Sequence, residues 1–226
     1  MKALLPASIR WYEEWAIKLP SVTSVLQLMP DDPYIEKWKN SLTPEEYLAY
    51  MAKVYLRGDI IHKLCENHFS WVYEPIPLEP EYQPFVTGFH RFLALYNDKI
   101  RPHKTEERIA SVELWVGWRL DFLCEWDWVF TLVDWKTSSS ARIPSSLVDK
   151  YRMQTAMYVK IWNMTHDRQI TQAIVVPLTN ANKKWLGVHE VMDQIALEHY
   201  WKMAEWYILD MNLMYNNGFL PEYFNP

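Results

Sequence analysis

The segment Val129-Phe-Thr-Leu-Val-Asp134-Trp-Lys136-Thr137 decides how the chain is read. It is an apolar, β-branched and aromatic run of strand type that nevertheless carries two opposite charges. A buried charge without a partner is costly, so such a pair calls for a reason. Positions two apart on a strand point to one face, which sets Asp134 and Lys136 side by side. Upstream, Gly117-Trp-Arg-Leu-Asp121-Phe-Leu reads as the preceding strand, and Glu125-Trp-Asp-Trp128 as the turn between them. Paired positions of an antiparallel hairpin have a constant sum. A turn at Asp127 and Trp128 therefore sets Asp121 opposite Asp134, about 5 Å away at Cα. Carboxylates that close repel unless a proton or a cation intervenes. A divalent metal solves the problem, and hard oxygen ligands favour Mg²⁺ or Mn²⁺. A structural ion pair is the alternative for Asp134 and Lys136 taken alone.

Strands are expected near 105–113, 115–125 and 129–137, with a helix over 146–163 and a strand over 169–178. A further strand over 185–191 and a helix over 192–215, stopped near Asn216-Asn217-Gly218, complete the C-terminal part. Before the strands, Thr43-Pro44-Glu45-Glu46 is a helix start. Thr43 caps, Pro44 suits the first turn and Glu46 completes a capping box. That helix is expected to reach residue 69 and to turn Tyr55, Gly58, His62, Cys65 and Phe69 inward. Residues 85–98 also read as helix, residues 75–84 as a loop, and residues 7–19 as a short amphipathic helix. Pro20–Leu26 reads as a turn entering a second short helix. The expectation is a single α/β domain over 1–226: a mainly helical part to residue 100, a catalytic sheet and helix over 101–190, and a C-terminal helix after 191.

Composition narrows the function. Half of the 226 residues are apolar, and the formal net charge is −5, so a nucleic-acid site would have to be a local groove rather than a cationic coat. Five glycines at 58, 88, 117, 187 and 218 are too scattered for a dinucleotide fingerprint or a P-loop. Cys65 and Cys124 are too few for a cysteine-built metal cluster, and free thiols point to a reducing, cytoplasmic setting, which includes a phage-infected cell. Residues 3–7 are too short an apolar run for a secretory leader, and no membrane span is expected.

Asp121 followed by Asp134-Trp135-Lys136 resembles the core of PD-(D/E)XK nucleases. Arg57-Gly58-Asp-Ile-Ile-His62 resembles the Arg-Gly-x-x-x-His element of the RecB-type branch, and Gln154-x-x-x-Tyr158 its Gln-x-x-x-Tyr motif. Pro20-Ser-Val-Thr-Ser-Val-Leu26 is similar to the opening segment of exonucleases related to the mitochondrial genome maintenance exonuclease. Two departures stand out. Leu120 replaces the proline before the first aspartate. The four-cysteine iron–sulfur set of some RecB-type and CRISPR-associated relatives is missing, so the likeness is to the cluster-free branch. The resemblance implies a restriction-endonuclease-like αβββαβ core, a central mixed sheet flanked by helices with extra helices at both ends. It implies a Mg²⁺- or Mn²⁺-dependent exonuclease acting on DNA, with single-stranded ends favoured. Asp121, Asp134, the Trp135 carbonyl and His62 would bind metal. Lys136 would orient the attacking water, Gln154 and Tyr158 would hold Lys136, the water or the phosphate, and Glu107 would be an outer-shell partner.

Other readings stay open. His62 can be a satisfied core histidine, Gln154 and Tyr158 packing residues, and Glu106 competes with Glu107. Lys150, Arg152, Lys160, Lys183 and Lys184 can line a DNA track or be solvated. A structure-specific endonuclease, or an inactive nuclease fold that binds nucleic acid or protein, are the competing functions. Polarity, DNA against RNA, oligomeric state and the host process (replication, recombination or repair) are not written in the sequence.

Overall fold

The computed structural model describes residues 10–14, 17–76, 79–139, 145–179 and 190–218. Its framework is a mixed five-stranded sheet: β3 (Ile100–Ser111), β4 (Val116–Trp126), β5 (Val129–Ser138), β6 (Gln172–Thr179) and β7 (Glu190–Met192), in that spatial order. All neighbours are antiparallel except β5 and β6. Parallel strands need a long crossover, and α5 (Ser145–Thr165) supplies it. With the two-stranded sheet β1 (Trp11–Glu14) and β2 (Ile17–Pro20) and the helices α1 (Val22–Val25), α2 (Pro33–Asn40), α3 (Pro44–Ser70), α4 (Gln83–Tyr96) and α6 (Gln194–Asn216), the chain has a mixed α/β fold.

Each face of the sheet carries its own core. Leu120, Leu123 and Leu132 pack with Met153, Tyr158 and Trp201 under α5 and α6. Phe122, Val133 and Trp135 pack with Phe69, Phe89 and Phe92 under α3 and α4. β6 is buried on both sides and reads as an unbroken apolar run, Ala173-Ile-Val-Val176. Alternation along β5 sends Trp135 into the α3/α4 core, against Phe89 and Phe92 at ring separations of 5.7 and 5.0 Å. Lys136 turns to the α5 side, its Nζ 5.3 Å from the Tyr151 ring.

The start of α3 follows the expected box. Thr43 Oγ1 accepts from Glu46 N–H at 3.2 Å, and Glu46 Oε2 accepts from Thr43 N–H at 2.8 Å. Of the face expected to turn inward, Cys65 and Phe69 are buried, whereas Tyr55 is half exposed. The hairpin register about Asp127 and Trp128 is the expected one from Trp126↔Val129 to Phe122↔Val133, but the ladder ends there and the expected Asp121↔Asp134 pair does not form.

The amphipathic helix expected over residues 7–19 is corrected. Residues 11–14 and 17–20 pair as an antiparallel hairpin, Trp11↔Pro20 to Glu14↔Ile17. Tertiary contacts override the local periodicity here. Trp11 meets the rings of Trp115 and Tyr215, and Arg108 donates to the Glu13 carbonyl. Gly117 makes the close approach possible, because a Cβ there would lie 3.1 Å from that of Tyr12. The strand expected over 185–191 falls mostly outside the described residues, with Glu190–Met192 seen as β7. Among the described residues no helix is long and apolar enough to cross a membrane.

Candidate active site

The pairing of β4 with β5 stops at Phe122↔Val133, while β5 continues along β6 through Trp135↔Val176 and Lys136↔Pro177. On the β4 side the Trp135 backbone then meets side chains instead of a strand. Its N–H donates to Asp121 Oδ2 at 2.8 Å, and its carbonyl lies 3.1 Å from His62 Nε2 on α3. A carbonyl only accepts, so Nε2 carries the proton. The other ring nitrogen, Nδ1, is thereby aimed at Asp121 Oδ1 (3.4 Å) and Glu106 Oε1 (3.9 Å).

Glu106 enters through the register of β3 with β4. Thr105↔Phe122 and Glu107↔Leu120 pair on either side, which sets Glu106 opposite Asp121. Glu106 has φ 52°, a left-handed conformation that costs a non-glycine residue on the order of 1 kcal/mol. Its second oxygen is held by Arg119 Nε at 2.7 Å. One ligand atom from each of His62, Glu106 and Asp121 lies within 4.8 Å of the others.

Beside this trio, the Lys136 ammonium straddles the Asp134 carboxylate, 2.8 Å from Oδ1 and 2.7 Å from Oδ2. Only the contact with Oδ1 has hydrogen-bond geometry, so Oδ2 is buried with no hydrogen bond. On α5, one turn separates Gln154 from Tyr158, and the amide bonds the phenol. Gln154 lines the cavity, whereas Tyr158 is fully buried. Tyr158 therefore does not line the cavity and meets it only through Gln154.

The charges are strongly coupled. Burial would lower the His62 pKa, but the Asp121 charge, with hydrogen bonds to Asp121 and Glu106, pushes it up to about 10. The ring lies on the cavity floor with its side chain 29% exposed. Burial would raise Asp121, yet His62, Lys136 and the Trp135 N–H together hold it below the ordinary carboxylate value. Asp134 goes the other way. Burial, reinforced by the Asp121 charge, outweighs Lys136 and raises it to about 6. Burial, then the charges of Asp134 and Asp121, keep the Tyr158 phenol protonated.

The cavity encloses about 1090 Å³. Of the residues expected at the site, it brings His62, Asp121, Trp135, Lys136 and Gln154 to its wall. Asp134 and Tyr158 are buried and do not line it, and Asp134 is not among the converging ligand atoms. Two further expectations change. Glu107 pairs with Lys104 at 2.5 Å, and Glu106 takes the position foreseen for it. The Trp135 carbonyl is engaged by His62. The described basic residues open to either a DNA track or solvation do not gather at the cavity. Lys150 binds the Met29 carbonyl, Arg152 pairs with Glu190 and Lys160 sits over Trp201, while Lys183 and Lys184 lie outside the described residues. Arg10 and Arg119 line the cavity instead. A β3–β4 turn lying between Ser111 and Val116 is what sets Glu106, rather than Glu107, opposite Asp121.

The residues suit a divalent cation. An imidazole nitrogen and two carboxylates converge, and a further buried carboxylate oxygen lacks a hydrogen bond. No protein-family model matches the chain, and no curated protein matches it.

Proposed function

We propose that this chain is a divalent-metal-dependent deoxyribonuclease of the RecB-type PD-(D/E)XK kind, hydrolysing phosphodiester bonds from single-stranded ends. The observation that carries the reading is the meeting of His62, Glu106 and Asp121 on one cavity wall that also holds Lys136, itself ion-paired to the buried Asp134. His62 Nδ1, Glu106 and Asp121 would hold the ion, and Asp134 Oδ2, which makes no hydrogen bond, would face Lys136 beside it. Imidazole beside carboxylates suits Mn²⁺ at least as well as Mg²⁺. A bound ion supplies acidity to water and polarises a phosphoryl oxygen.

The chain's own groups do the rest. Lys136 sets a fixed positive charge beside Asp134, where it orients the attacking water and offsets charge building on the phosphate. Gln154, steadied by Tyr158, offers an amide to the water or the phosphate. His62 gives up its Nδ1 proton when it becomes a ligand, so metal loading is linked to proton release. Cys65 and Cys124 are free and buried, which suits a reducing, cytoplasmic setting.

End-labelled single strands, blocked at one end or the other, test this with Mg²⁺ or Mn²⁺. The expected result is stepwise, metal-dependent digestion by the wild type and none by Asp134→Ala. A covalently closed circle cut as fast as a linear strand would convert the reading to an endonuclease. Identical behaviour of wild type and Asp134→Ala would leave a binding module.

A further inference from the structure

The cavity is much longer than the catalytic cluster. One face of α3 forms its wall, with Tyr47, Met51, Val54, Tyr55, Gly58 and His62 lining it in sequence. From Tyr47 to His62 this face runs for roughly 22 Å along the helix axis at the usual rise. The half towards the N-terminus of α3 is apolar and open: Leu48 and Tyr55 also face the cavity, yet are 63% and 51% exposed. Charges begin on this face only at Asp59, next to the catalytic end. The other elements lining the cavity bring the cations Arg10, Arg119 and Lys136.

We infer that the apolar half of the α3 face is a base-binding wall for an unpaired DNA strand. This rests on the nuclease reading above and goes on to say how the strand is held. Bases lie against Tyr47, Met51 and Tyr55, and phosphates turn to Arg10, Arg119 and, at the bond to be cut, Lys136. A duplex hides its bases and presents phosphates, which an apolar helix face would desolvate without return. An unpaired strand exposes base faces that pack on aromatic and apolar side chains whatever the sequence. Gly58 completes the path. A Cβ built there has no atom within 4 Å, so packing does not require the glycine. Lying one helical turn before His62, it keeps open the space that the terminal nucleotide enters.

The test uses the intact protein with chelator for binding and with Mn²⁺ for digestion. The probes are a fluorescent single-stranded oligonucleotide, the same strand with a run of abasic sites, and a blunt duplex. The wild type is expected to bind the normal strand at least about tenfold more tightly than either of the others. Tyr55→Ala weakens binding of the normal strand about fivefold or more and leaves the abasic strand unchanged. Gly58→Leu loses digestion while its melting temperature is maintained, which separates blocked entry from misfolding. Equal affinity for normal and abasic strands, or full digestion by Gly58→Leu, overturns the wall while leaving the nuclease standing. Absence of binding and digestion with every probe overturns both, and leaves the apolar face to a protein helix.

Discussion

The two ends of the β4–β5 hairpin are built on different principles. At the tip, Trp126 pairs with Val129 around Asp127 and Trp128, whose φ values of 47° and 72° match the twist of the strands. There the backbone meets backbone, and the Asp127 N–H finds the Lys99 carbonyl at 3.0 Å. At the open end the ladder has run out, and the Trp135 N–H and carbonyl are served by Asp121 and His62. The contrast teaches that the site arises where the sheet stops pairing. Side chains that complete the backbone's hydrogen bonding there are the same ones that gather charge. Changes at the open end should therefore touch stability and activity together, and changes at the tip neither strongly.

The largest effect is expected for Asp121→Ala. Metal-dependent digestion should fall at least about 100-fold. Thermal unfolding should show a loss of about 1–3 kcal/mol, because the buried Trp135 N–H loses its acceptor. A variant as stable as the wild type would separate site from scaffold and break the contrast.

His62 comes next. Its pKa is raised in the fold, so its stabilisation is complete below about pH 6.5 and fades as pH rises through about 10. Asp134, raised to about 6, likewise contributes most below its unfolded value near 3.8 and least above about 6. Asp121, lowered in the fold, behaves oppositely and loses its contribution as pH falls below the ordinary carboxylate range. Melting curves of chelated protein from pH 6 to 10 should decline by on the order of 2 kcal/mol, and His62→Gln should flatten that decline. A flat wild-type curve would show that His62 is not charged by its neighbours.

Smaller effects sharpen the picture away from the junction. Gly58→Ala should stabilise the helix by about 1 kcal/mol in thermal unfolding, since nothing stands in the way of the new methyl group. Trp128→Gly at the tip loses its contact with Arg101 but relieves a left-handed backbone. The net change should stay within about 1 kcal/mol, with digestion unaltered. A marked loss of activity in Trp128→Gly would mean that the two ends are coupled.

These differences also explain what the sequence could carry. The hairpin register was legible because a polar, aromatic turn punctuates two apolar strands, and the α3 cap because its residues act on near neighbours. The first hairpin was not. Trp11 and Tyr12 are fixed by Trp115, Tyr215 and Gly117, partners distant in sequence. Glu106 and Glu107 are adjacent, and alternation alone offers either one. The choice rests on the β3–β4 register, set by the turn between Ser111 and Val116, which residue types alone do not fix to one position. Asp121, Asp134 and Lys136 stood out in the sequence because charge amid apolar strands needs a reason.

The most direct measurement is calorimetric titration of the metal-free protein with Mn²⁺ near pH 7.5, repeated in two buffers of different ionisation enthalpy. The account predicts saturable binding with release of a proton from His62, abolished in Asp121→Ala. No binding, or binding that Asp121→Ala leaves intact, would contradict it.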